Sequence, residues 1–238
     1  MKIAIIGYGK MGKAIEQISI EKGHQVILKI TSKNKHDITV SNLQQADVAI
    51  EFTNPGNAVS NIYACIDAGI PVVCGSTGWL DGLEKVSDYC IANNGTLLYA
   101  SNFSIGVNIF FELNKRLAEL MADQAGYDVS IVEVHHKEKK DSPSGTAIIL
   151  AEQLINKIQG KSQWVNLPSK NADDLFISSL RIDNAPGTHT VSYTSEIDDI
   201  TITHNAHNRK GFAFGAVLAA EFLNEKKGVF NMKDVLGI

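Results

Sequence analysis

Along residues 1–103, short continuous apolar runs alternate with segments in which apolar residues recur at helical spacing. Short runs rich in β-branched residues are typical of buried strands, and segments with apolar residues at helical spacing, such as Ala14, Ile15 and Ile18, separate them. The runs are Lys2–Ile6, Gln25–Ile30, Asp47–Phe52, Pro71–Cys74 and Thr96–Tyr99. Strands that alternate with helices form a parallel sheet covered on both faces, so a doubly wound α/β domain is predicted.

Local signals place the ends of several helices in this part of the chain. Gly23 is expected to end the first helix as a C-cap glycine. Asn54 is expected to be the N-cap of a second helix with Pro55 in its first turn, and Leu83–Ala92 is predicted to be helical.

The pattern changes after Phe103. A helix is predicted over Ile109–Met121 and another over Ala147–Ile158. Extended runs occur at Val129–His135, Phe176–Arg181, His189–Thr194 and Ile200–His204, and Leu167–Asp174 has the composition of a polar loop. From residue 211 the chain becomes small and apolar, which predicts a helix over Phe212–Leu223 that returns to the first domain. We expect one domain from residues 1–103 and 211–238, and an inserted α+β domain with an open mixed sheet from residues 104–210.

A glycine-rich turn joins the first strand to the first helix. It reads Gly7-Tyr8-Gly9-Lys10-Met11-Gly12, a G-x-G-x-x-G pattern in the strand–turn–helix context of a dinucleotide site. Glycines there let the backbone approach a pyrophosphate that lies on the helix N-terminus. A Rossmann-type cofactor domain is therefore predicted, although such a turn also occurs in α/β domains without a ligand.

The end of the second strand bears on the choice of cofactor. NAD-preferring domains usually have an acidic residue there, whereas this chain continues Thr31-Ser32-Lys33-Asn34-Lys35. Ser32 and Lys33 would suit a 2′-phosphate, so NADPH is predicted, with NADH as a possible substitute. The lysines could equally be solvated loop charges.

Two further loops follow strands at the carboxyl edge of the predicted sheet, where open α/β sheets bind ligands. The first contains Gly75, Ser76 and Thr77, and the second is Ala100-Ser101-Asn102-Phe103. The first is therefore a candidate ligand-binding loop.

The segment Glu133–Ala147 concentrates titratable groups next to the start of a helix. His135 and His136 would point to opposite faces if the strand persisted, and imidazole exchanges protons readily near neutral pH. Lys139 can supply a charge or a proton. Gly145 and Thr146 open the next helix, whose free N–H groups would seat a carboxylate or phosphate.

Simpler explanations exist for each of these features. One histidine could belong to the core and the other to the surface, Asp141–Ser144 could serve only as a helix cap, and the lysines could form a solvated turn. A metal site is not expected, because adjacent histidines are poorly spaced for one ion and no cysteine or third histidine clusters with them in the sequence.

Composition excludes some classes of function. The net charge of −4 and the lack of a basic face argue against nucleic-acid binding, and no apolar run is long enough to span a bilayer. Lys2–Ile6 leads into glycines and is typical of a strand rather than of a signal peptide. Three cysteines without CxxC spacing suggest a reducing compartment, so a cytoplasmic location is expected.

With these residues in place, the chain resembles the dihydrodipicolinate reductase (4-hydroxy-tetrahydrodipicolinate reductase) family. The family motif E-x-H-H-x-x-K-x-D-x-P-S-G-T-A is matched without a break from Glu133 to Ala147. Weaker matches extend along the chain at Gly75–Gly78, Ala100–Asn108, Gly187–Val191, His204–Phe212 and Met232–Gly237.

The resemblance implies a role for individual residues. Gly7–Met11, Gly75–Thr77 and Ala100–Phe103 would contact the nicotinamide cofactor. His135 would be the proton donor or acceptor and Lys139 a second proton donor, while His136, Lys139, Gly145 and Thr146 would bind the substrate's carboxylates. The family reaction is NAD(P)H-dependent reduction of a cyclic imine dicarboxylate to tetrahydrodipicolinate in diaminopimelate and lysine biosynthesis. A homotetramer joined through the sheet of the second domain is also implied.

The chain departs from the family pattern at several positions. The glycine loop is one residue shorter, with Lys10 where arginine is common; Thr31 replaces an acidic residue, Ser32 an arginine, and Glu51 an aspartate. Two alternatives to the reductase are a different dehydrogenase on the same scaffold and a nucleotide-sensing regulator. The first has no reason to carry this motif, and the second would need a partner-binding or DNA-binding face.

Overall fold

The computed structural model describes residues 1–208 and 210–238, which form two compact units. The first unit contains Met1–Ile105 and Lys210–Ile238, and the second begins at Gly106 and takes up the chain between these segments.

The first unit is built on a six-stranded parallel sheet with the order β11-β5-β4-β3-β1-β2. The strands are β1 (Lys2–Ile6), β2 (Gln25–Ile30), β3 (Val48–Glu51), β4 (Val72–Cys74), β5 (Thr96–Tyr99) and β11 (Gly228–Phe230). Strands β1, β3 and β4 are buried almost throughout, which is why their sequences are continuous apolar runs.

Helices cover both faces of this sheet. They are α1 (Lys10–Glu21), α2 (Val40–Leu43), α3 (Pro55–Asp67), α4 (Leu83–Ala92), α7 (Lys210–Phe222) and α8 (Met232–Leu236), with short 3₁₀ turns at Lys35–Asp37 and Leu80–Gly82. Two apolar clusters form the core of the unit, one on each face. Helix α7 carries small residues such as Ala213 and Ala216 into one of them, so the returning helix completes the fold of the first unit.

The second unit is built on a five-stranded mixed sheet with the order β10-β9-β6-β8-β7. Its strands are β6 (Asp128–His135), β7 (Gln163–Val165), β8 (Asp174–Arg181), β9 (Thr188–Thr194) and β10 (Asp199–Asn205). The order includes parallel pairs, β6–β8 and β7–β8, and antiparallel pairs, β6–β9 and β9–β10. Helices α5 (Ile105–Met121) and α6 (Gly145–Ile155) contribute to its core. None of the described helices combines the length and the apolar content needed to cross a membrane.

Strand β6 changes character along its buried face. Alternate residues are buried, beginning with the apolar Val129 and Ile131 and ending with Glu133 and His135. On the neighbouring strand β9, His189 is paired with Glu133 across the ladder and is also buried. The core face of the sheet is therefore polar at the carboxyl end of β6.

Most of the elements expected from the pattern are confirmed. Strands β1, β2 and β5 and helix α4 have the predicted bounds, and the mixed sheet of the second unit is present. The pattern did not indicate α2, β7, β11 and α8, which have three to five residues each and are too short to show periodicity.

The expected N-cap position of α3, with Pro55 in its first turn, is confirmed, whereas the condition set for His135 and His136, a strand that continues through both, is not met. Asn54 occupies the N-cap position of α3, but its side chain makes no capping bond and instead accepts from the Asn57 side-chain amide at 2.9 Å. Strand β6 ends at His135, so His135 and His136 do not point to opposite faces of one strand.

Gly215 provides a test of the packing of α7. A methyl group at this position would collide with the backbone carbonyl of Phe103. We expect Gly215→Ala to lower the free energy of unfolding by roughly 1–3 kcal/mol, since the backbone cannot easily yield. Denaturant unfolding measures this, with Gly126→Ala as the control because an added methyl there meets nothing within 4 Å. Equal stability of the two variants would contradict the packing.

Candidate active site

A cavity of about 300 Å³ lies at the carboxyl ends of the strands of the first unit. Gly7, Tyr8 and Gly9 line it from the glycine loop, and Thr31, Ser32 and Lys35 line it from the segment after β2. The rest of the lining consists of Ile6, Ile30, Ile38, Phe52, Thr53, Asn54, Asn57 and Asn61. Its place at this edge of the sheet is where open α/β sheets bind nucleotides.

The glycines of the loop fit a dinucleotide. Gly7 has φ +100°, and a side chain there would meet the Phe52 carbonyl. A methyl on Gly12 would meet the carbonyl of Gly7, whereas one on Gly9 would meet no atom within 4 Å. The open side of Gly9 thus leaves room for a phosphate to approach the backbone, beside the start of α1.

Not all of the predicted cofactor residues line this cavity. Lys10, Met11 and Gly12 are the first residues of α1 and are not in the lining. Ser32 lines the cavity while Lys33 does not, and Lys35 takes its place, with Nζ 3.2 Å from Oδ1 of Asn57.

The end of β2 carries no carboxylate into the cavity. Thr31 donates its hydroxyl to Oδ1 of Asn34 at 2.7 Å, and the Asn34 amide donates to Asp37 at 3.0 Å, so the turn is closed on itself. Among the lining residues, Lys35 is the one that carries a charge.

Three asparagines in the lining were not singled out from the sequence. Asn54, Asn57 and Asn61 come from the start of α3, three and four residues apart, and therefore share one face of the helix. That spacing was visible in the sequence. Its direction toward the cavity depends on how α3 packs on the sheet.

The loops after β4 and β5 stand outside the cavity lining. Ser76 is buried, and its hydroxyl oxygen accepts from the backbone N–H of Thr53 at 2.8 Å. Gly75 is packed against the Phe52 ring. Thr77 and Ser101 are exposed, Ala100 is buried, and Asn102 accepts from the Ser104 N–H at 2.9 Å. Phe103 is a core residue with its ring 5.6 Å from that of Phe52.

In the second unit, polar side chains meet at the carboxyl end of β6. Glu133 is fully buried, and its two oxygens have separate partners. Oε1 accepts from the backbone N–H of Ser144 and from Nη2 of Arg181, both at 3.1 Å. Oε2 lies 3.0 Å from Nδ1 of His135.

His189 completes this cluster from strand β9. Its ring lies edge-on to that of His135, with centroids 5.1 Å apart. Its Nε2 is 3.0 Å from the Ser144 hydroxyl and 3.9 Å from Oε2 of Glu133. Sequence reasoning missed His189, Arg181 and the part played by Glu133, because only the strand pairing brings them to His135.

The other predicted residues of this segment lie in the turn between β6 and α6. Lys139 is held by both carboxylate oxygens of Asp141, at 2.8 and 2.9 Å, and Nδ1 of His136 lies 2.8 Å from Oε2 of Glu138. Gly145 and Thr146 are the first two residues of α6.

The start of helix α6 is open to a ligand at Gly145. Ser144 is its N-cap, since its side chain accepts from the Ala147 N–H at 3.2 Å. A methyl on Gly145 would meet nothing within 4 Å, so a ligand could approach the backbone there. Arg209, which belongs to the matched segment His204–Phe212, lies outside the described residues.

The expectation that no third histidine joins His135 was wrong. Glu133, His135 and His189 each offer one ligand atom, and these atoms lie within 4.8 Å of one another. Arg181, Ser144 and His135 already surround the Glu133 carboxylate, and the Ser144 hydroxyl is within hydrogen-bonding distance of Nε2 of His189. These contacts engage Oε1 of Glu133 and Nε2 of His189, and the lack of a metal remains our prediction.

Burial and hydrogen bonding act in opposite directions on this cluster. Burial would raise the pKa of Glu133, but hydrogen bonds from His135 and Ser144 outweigh it and hold that pKa far below its usual range. Burial, with the neighbouring His135 adding to it, lowers the pKa of His189 to about 3. Glu133 is therefore an anion and His189 is neutral throughout the physiological range.

The buried, neutral His189 should make the protein sensitive to acid. The pKa of His189 falls from 6.5 in an ordinary histidine to about 3 in the folded protein. Below pH 6.5 the unfolded chain therefore binds a proton at this residue that the native state does not bind. Stability should fall as the pH drops, by roughly 2 kcal/mol between pH 7 and 5 from this residue. We expect His189→Gln to flatten that part of the curve of unfolding free energy against pH.

The matched control is His36→Gln, at a histidine whose side chain is 79% exposed. Denaturant unfolding at each pH gives the comparison. A His189→Gln slope equal to that of the wild type would contradict the buried, neutral state of His189.

Comparison with known proteins covers nearly the whole chain. The family model described as "Dihydrodipicolinate reductase, N-terminus" matches residues 1–103, and the one described as "Dihydrodipicolinate reductase, C-terminus" matches residues 106–236.

Curated relatives and solved structures agree with these matches. The chain is 48% identical to a 4-hydroxy-tetrahydrodipicolinate reductase of Christiangramia forsetii, over 99% of this chain and 98% of the relative. It is 34% identical to one of Methanosarcina acetivorans, over 99% and 89%. A dipicolinate-bound dihydrodipicolinate reductase from Paenisporosarcina sp. TG-14 has a similar fold, with a TM-score of 0.77 at 22% identity over 98% of both chains.

Proposed function

This chain belongs to the dihydrodipicolinate reductase family, and we propose that it reduces 4-hydroxy-tetrahydrodipicolinate to tetrahydrodipicolinate with the residues of the Glu133 cluster. It is an NAD(P)H-dependent oxidoreductase of diaminopimelate and lysine biosynthesis. The observation that carries the proposal for the site is the placement of His135 against a buried carboxylate, in the segment that also presents Lys139 and the start of α6.

The two units divide the work in this proposal. The first unit would hold the cofactor, with the pyrophosphate at Gly7–Gly9 and the adenosine half in the cavity lined by Lys35 and Asn57. Bound NAD(P)H supplies a hydride to an unsaturated carbon of the substrate. The second unit would hold the substrate and the proton donors.

Substrate carboxylates would bind at the start of α6. The first turn of α6, which opens with Gly145 and Thr146, would supply backbone N–H donors and the Thr146 hydroxyl to a carboxylate, and Lys139 adds positive charge in the preceding turn beside the His136 ring. Asp141 now pairs with Lys139, so an incoming carboxylate would share or replace that partner.

Proton delivery falls to His135 and Lys139. Reduction adds a proton as well as a hydride, and the imidazole of His135 would give the proton from Nε2, with Nδ1 3.0 Å from Oε2 of Glu133. Lys139 is a second cation in the same segment. Its ammonium group can stabilise developing negative charge or donate a proton.

NADPH is proposed as the preferred cofactor. A cation and two hydroxyls, those of Lys35, Thr31 and Ser32, line the part of the cavity that follows β2, and no carboxylate is in the lining. This set favours a 2′-phosphate over a free ribose hydroxyl. NADH would still fit the cavity.

A homotetramer is proposed, joined through the sheet of the second unit. The face of that sheet opposite α5 and α6 carries the half-buried Val132 and Val134 and the 44% exposed Leu180. The cross-strand hydroxyl pairs Thr190–Thr203 and Ser192–Thr201 also lie on β9 and β10. A cytoplasmic location is proposed as well, because the three cysteines are buried and unpaired and the biosynthetic family supports it.

A coupled assay tests the function. Pyruvate, aspartate semialdehyde and the preceding synthase generate the substrate, and loss of nicotinamide absorbance reports reduction. We expect substrate-dependent oxidation of NADPH. If neither NADPH nor NADH is oxidised, the proposed function is wrong.

Within this assay, His135→Gln should lower kcat by roughly 100-fold, because the variant removes the proton donor. Lys137→Gln is the control, since Lys137 pairs with Asp183 and its side chain is 62% exposed. An unchanged kcat in His135→Gln would remove the proposed role of His135.

The cofactor preference can be tested by binding alone. Lys35→Ala should weaken NADPH by roughly 10-fold and NADH by less than about 2-fold, because a charge-assisted contact with the 2′-phosphate is lost. Fluorescence titration of the reduced nicotinamide, without substrate, gives both dissociation constants. Lys33→Ala is the matched control, because Lys33 does not line the cavity. If Lys35→Ala weakens both cofactors equally, Lys35 does not recognise the 2′-phosphate.

A further inference from the structure

We propose that Glu133 is the positioning residue for proton transfer: its carboxylate holds a proton on Nδ1 of His135 and so reserves Nε2 for exchange with the substrate. The proposal deepens the proposed function and rests on it, since it takes His135 to be the proton donor.

The two oxygens of Glu133 have separate tasks. Oε1 is anchored by two donors, the Ser144 backbone N–H and Nη2 of Arg181, each at 3.1 Å. Oε2 is left to face Nδ1 of His135 at 3.0 Å. Because the side chain is fully buried, water does not compete for either oxygen. The carboxylate therefore cannot rotate away from His135 without breaking its two other contacts.

The opposite edge of the His135 ring faces a glycine. A methyl group on Gly187 would lie 3.1 Å from Nε2 and 3.3 Å from Cδ2 of His135. The glycine thus keeps a side chain away from Nε2, while Nδ1 lies 3.0 Å from Oε2 of Glu133. One ring nitrogen faces the carboxylate, and the other is free of side-chain crowding from position 187.

The neighbouring groups do not displace His135 from the carboxylate. His189 is neutral, its Nε2 is nearer to the Ser144 hydroxyl, at 3.0 Å, than to Oε2, at 3.9 Å, and its ring packs edge-on against His135. Arg181 contacts the other oxygen and also donates to the Asp141 carbonyl at 2.6 Å. Of the two histidines, His135 is therefore the one that lies closer to Oε2.

This arrangement defines the path of the proton. The N–H bond at Nε2 breaks as the proton passes to the substrate, and His135 becomes neutral with its remaining proton on Nδ1. That proton still bonds to Glu133, so the same tautomer is kept until solvent returns a proton to Nε2. In serine proteases, a buried carboxylate holds the catalytic imidazole in the required tautomer in this way. Replacing that carboxylate with an amide lowers kcat there, because the amide imposes the other tautomer.

Glu133→Gln should reverse the tautomer. Oε1 receives two hydrogen bonds, so the amide oxygen of the variant must take its place and the amide NH₂ must face His135. That NH₂ group would donate to Nδ1 of His135, so the ring proton of the neutral imidazole would lie on Nε2. The same NH₂ group would destabilise the doubly protonated ring, which needs an acceptor at Nδ1. We expect kcat to fall by roughly 100-fold or more, with KM for the substrate changed by less than about 3-fold.

Nitrogen NMR of histidine-labelled protein gives a signature that a purely structural role would not produce. The His135 signals are identified from their loss in His135→Gln. In the wild type, neutral His135 should carry its proton on Nδ1, and in Glu133→Gln on Nε2. The control is Glu119→Gln, which removes a surface carboxylate of α5 that pairs with Arg116 and Lys157, and should change neither kcat nor the His135 signals.

Each outcome decides the matter. The expected pair of results, a lower kcat and a reversed tautomer, supports the proposal. A lower kcat with the proton still on Nδ1 overturns it and makes Glu133 an anchor for Arg181 and α6 only, and an unchanged kcat also overturns it.

If Glu133→Gln does not fold, the wild-type spectrum decides, because a proton on Nε2 in neutral His135 would contradict the proposal. If His135→Gln keeps full activity, the proposed function of His135 fails separately, whatever the tautomer.

Discussion

A buried carboxylate at the carboxyl end of β6 is the constraint on which the candidate site depends. Glu133 could not remain charged in a protein core without compensation, and Arg181, His135 and the Ser144 N–H supply it. Those partners come from β8, from β6 itself and from the start of α6. Satisfying one charge thus fixes three elements together, and they are the elements that carry the proposed proton donor and the proposed anion seat.

The cavity proposed for the cofactor depends on a different constraint, the close approach of backbone segments. Gly7 and Gly12 pack where a side chain would meet a carbonyl, and Gly9 leaves an open face. Around that turn the specificity elements come from other strands and helices. Lys35 and Asn57 approach each other from a 3₁₀ turn and from α3, and they do so only because β2 and β3 flank β1 in the sheet.

Local patterns could predict a large part of this protein. Continuous apolar runs predicted strands β1 and β4, and apolar residues at helical spacing predicted helices α4 and α5. The glycine motif located the first candidate site. Elements such as β7 and β11 were missed because three residues cannot show a period. His189 was missed for another reason, since 53 residues of chain lie between it and His135 and only the antiparallel pairing of β6 with β9 joins them.

By itself, the sequence determined the two architectures, the family to which the chain belongs and the identity of the groups in Glu133–Ala147, because each follows from side chains that are close along the chain. Tertiary structure decided which of those groups act together. It placed Lys35 rather than Lys33 in the cavity, and it surrounded Glu133 with Arg181, His135 and His189. The physical reason is that burial and hydrogen bonding are properties of neighbours in space, and strand pairing brings distant parts of a chain together.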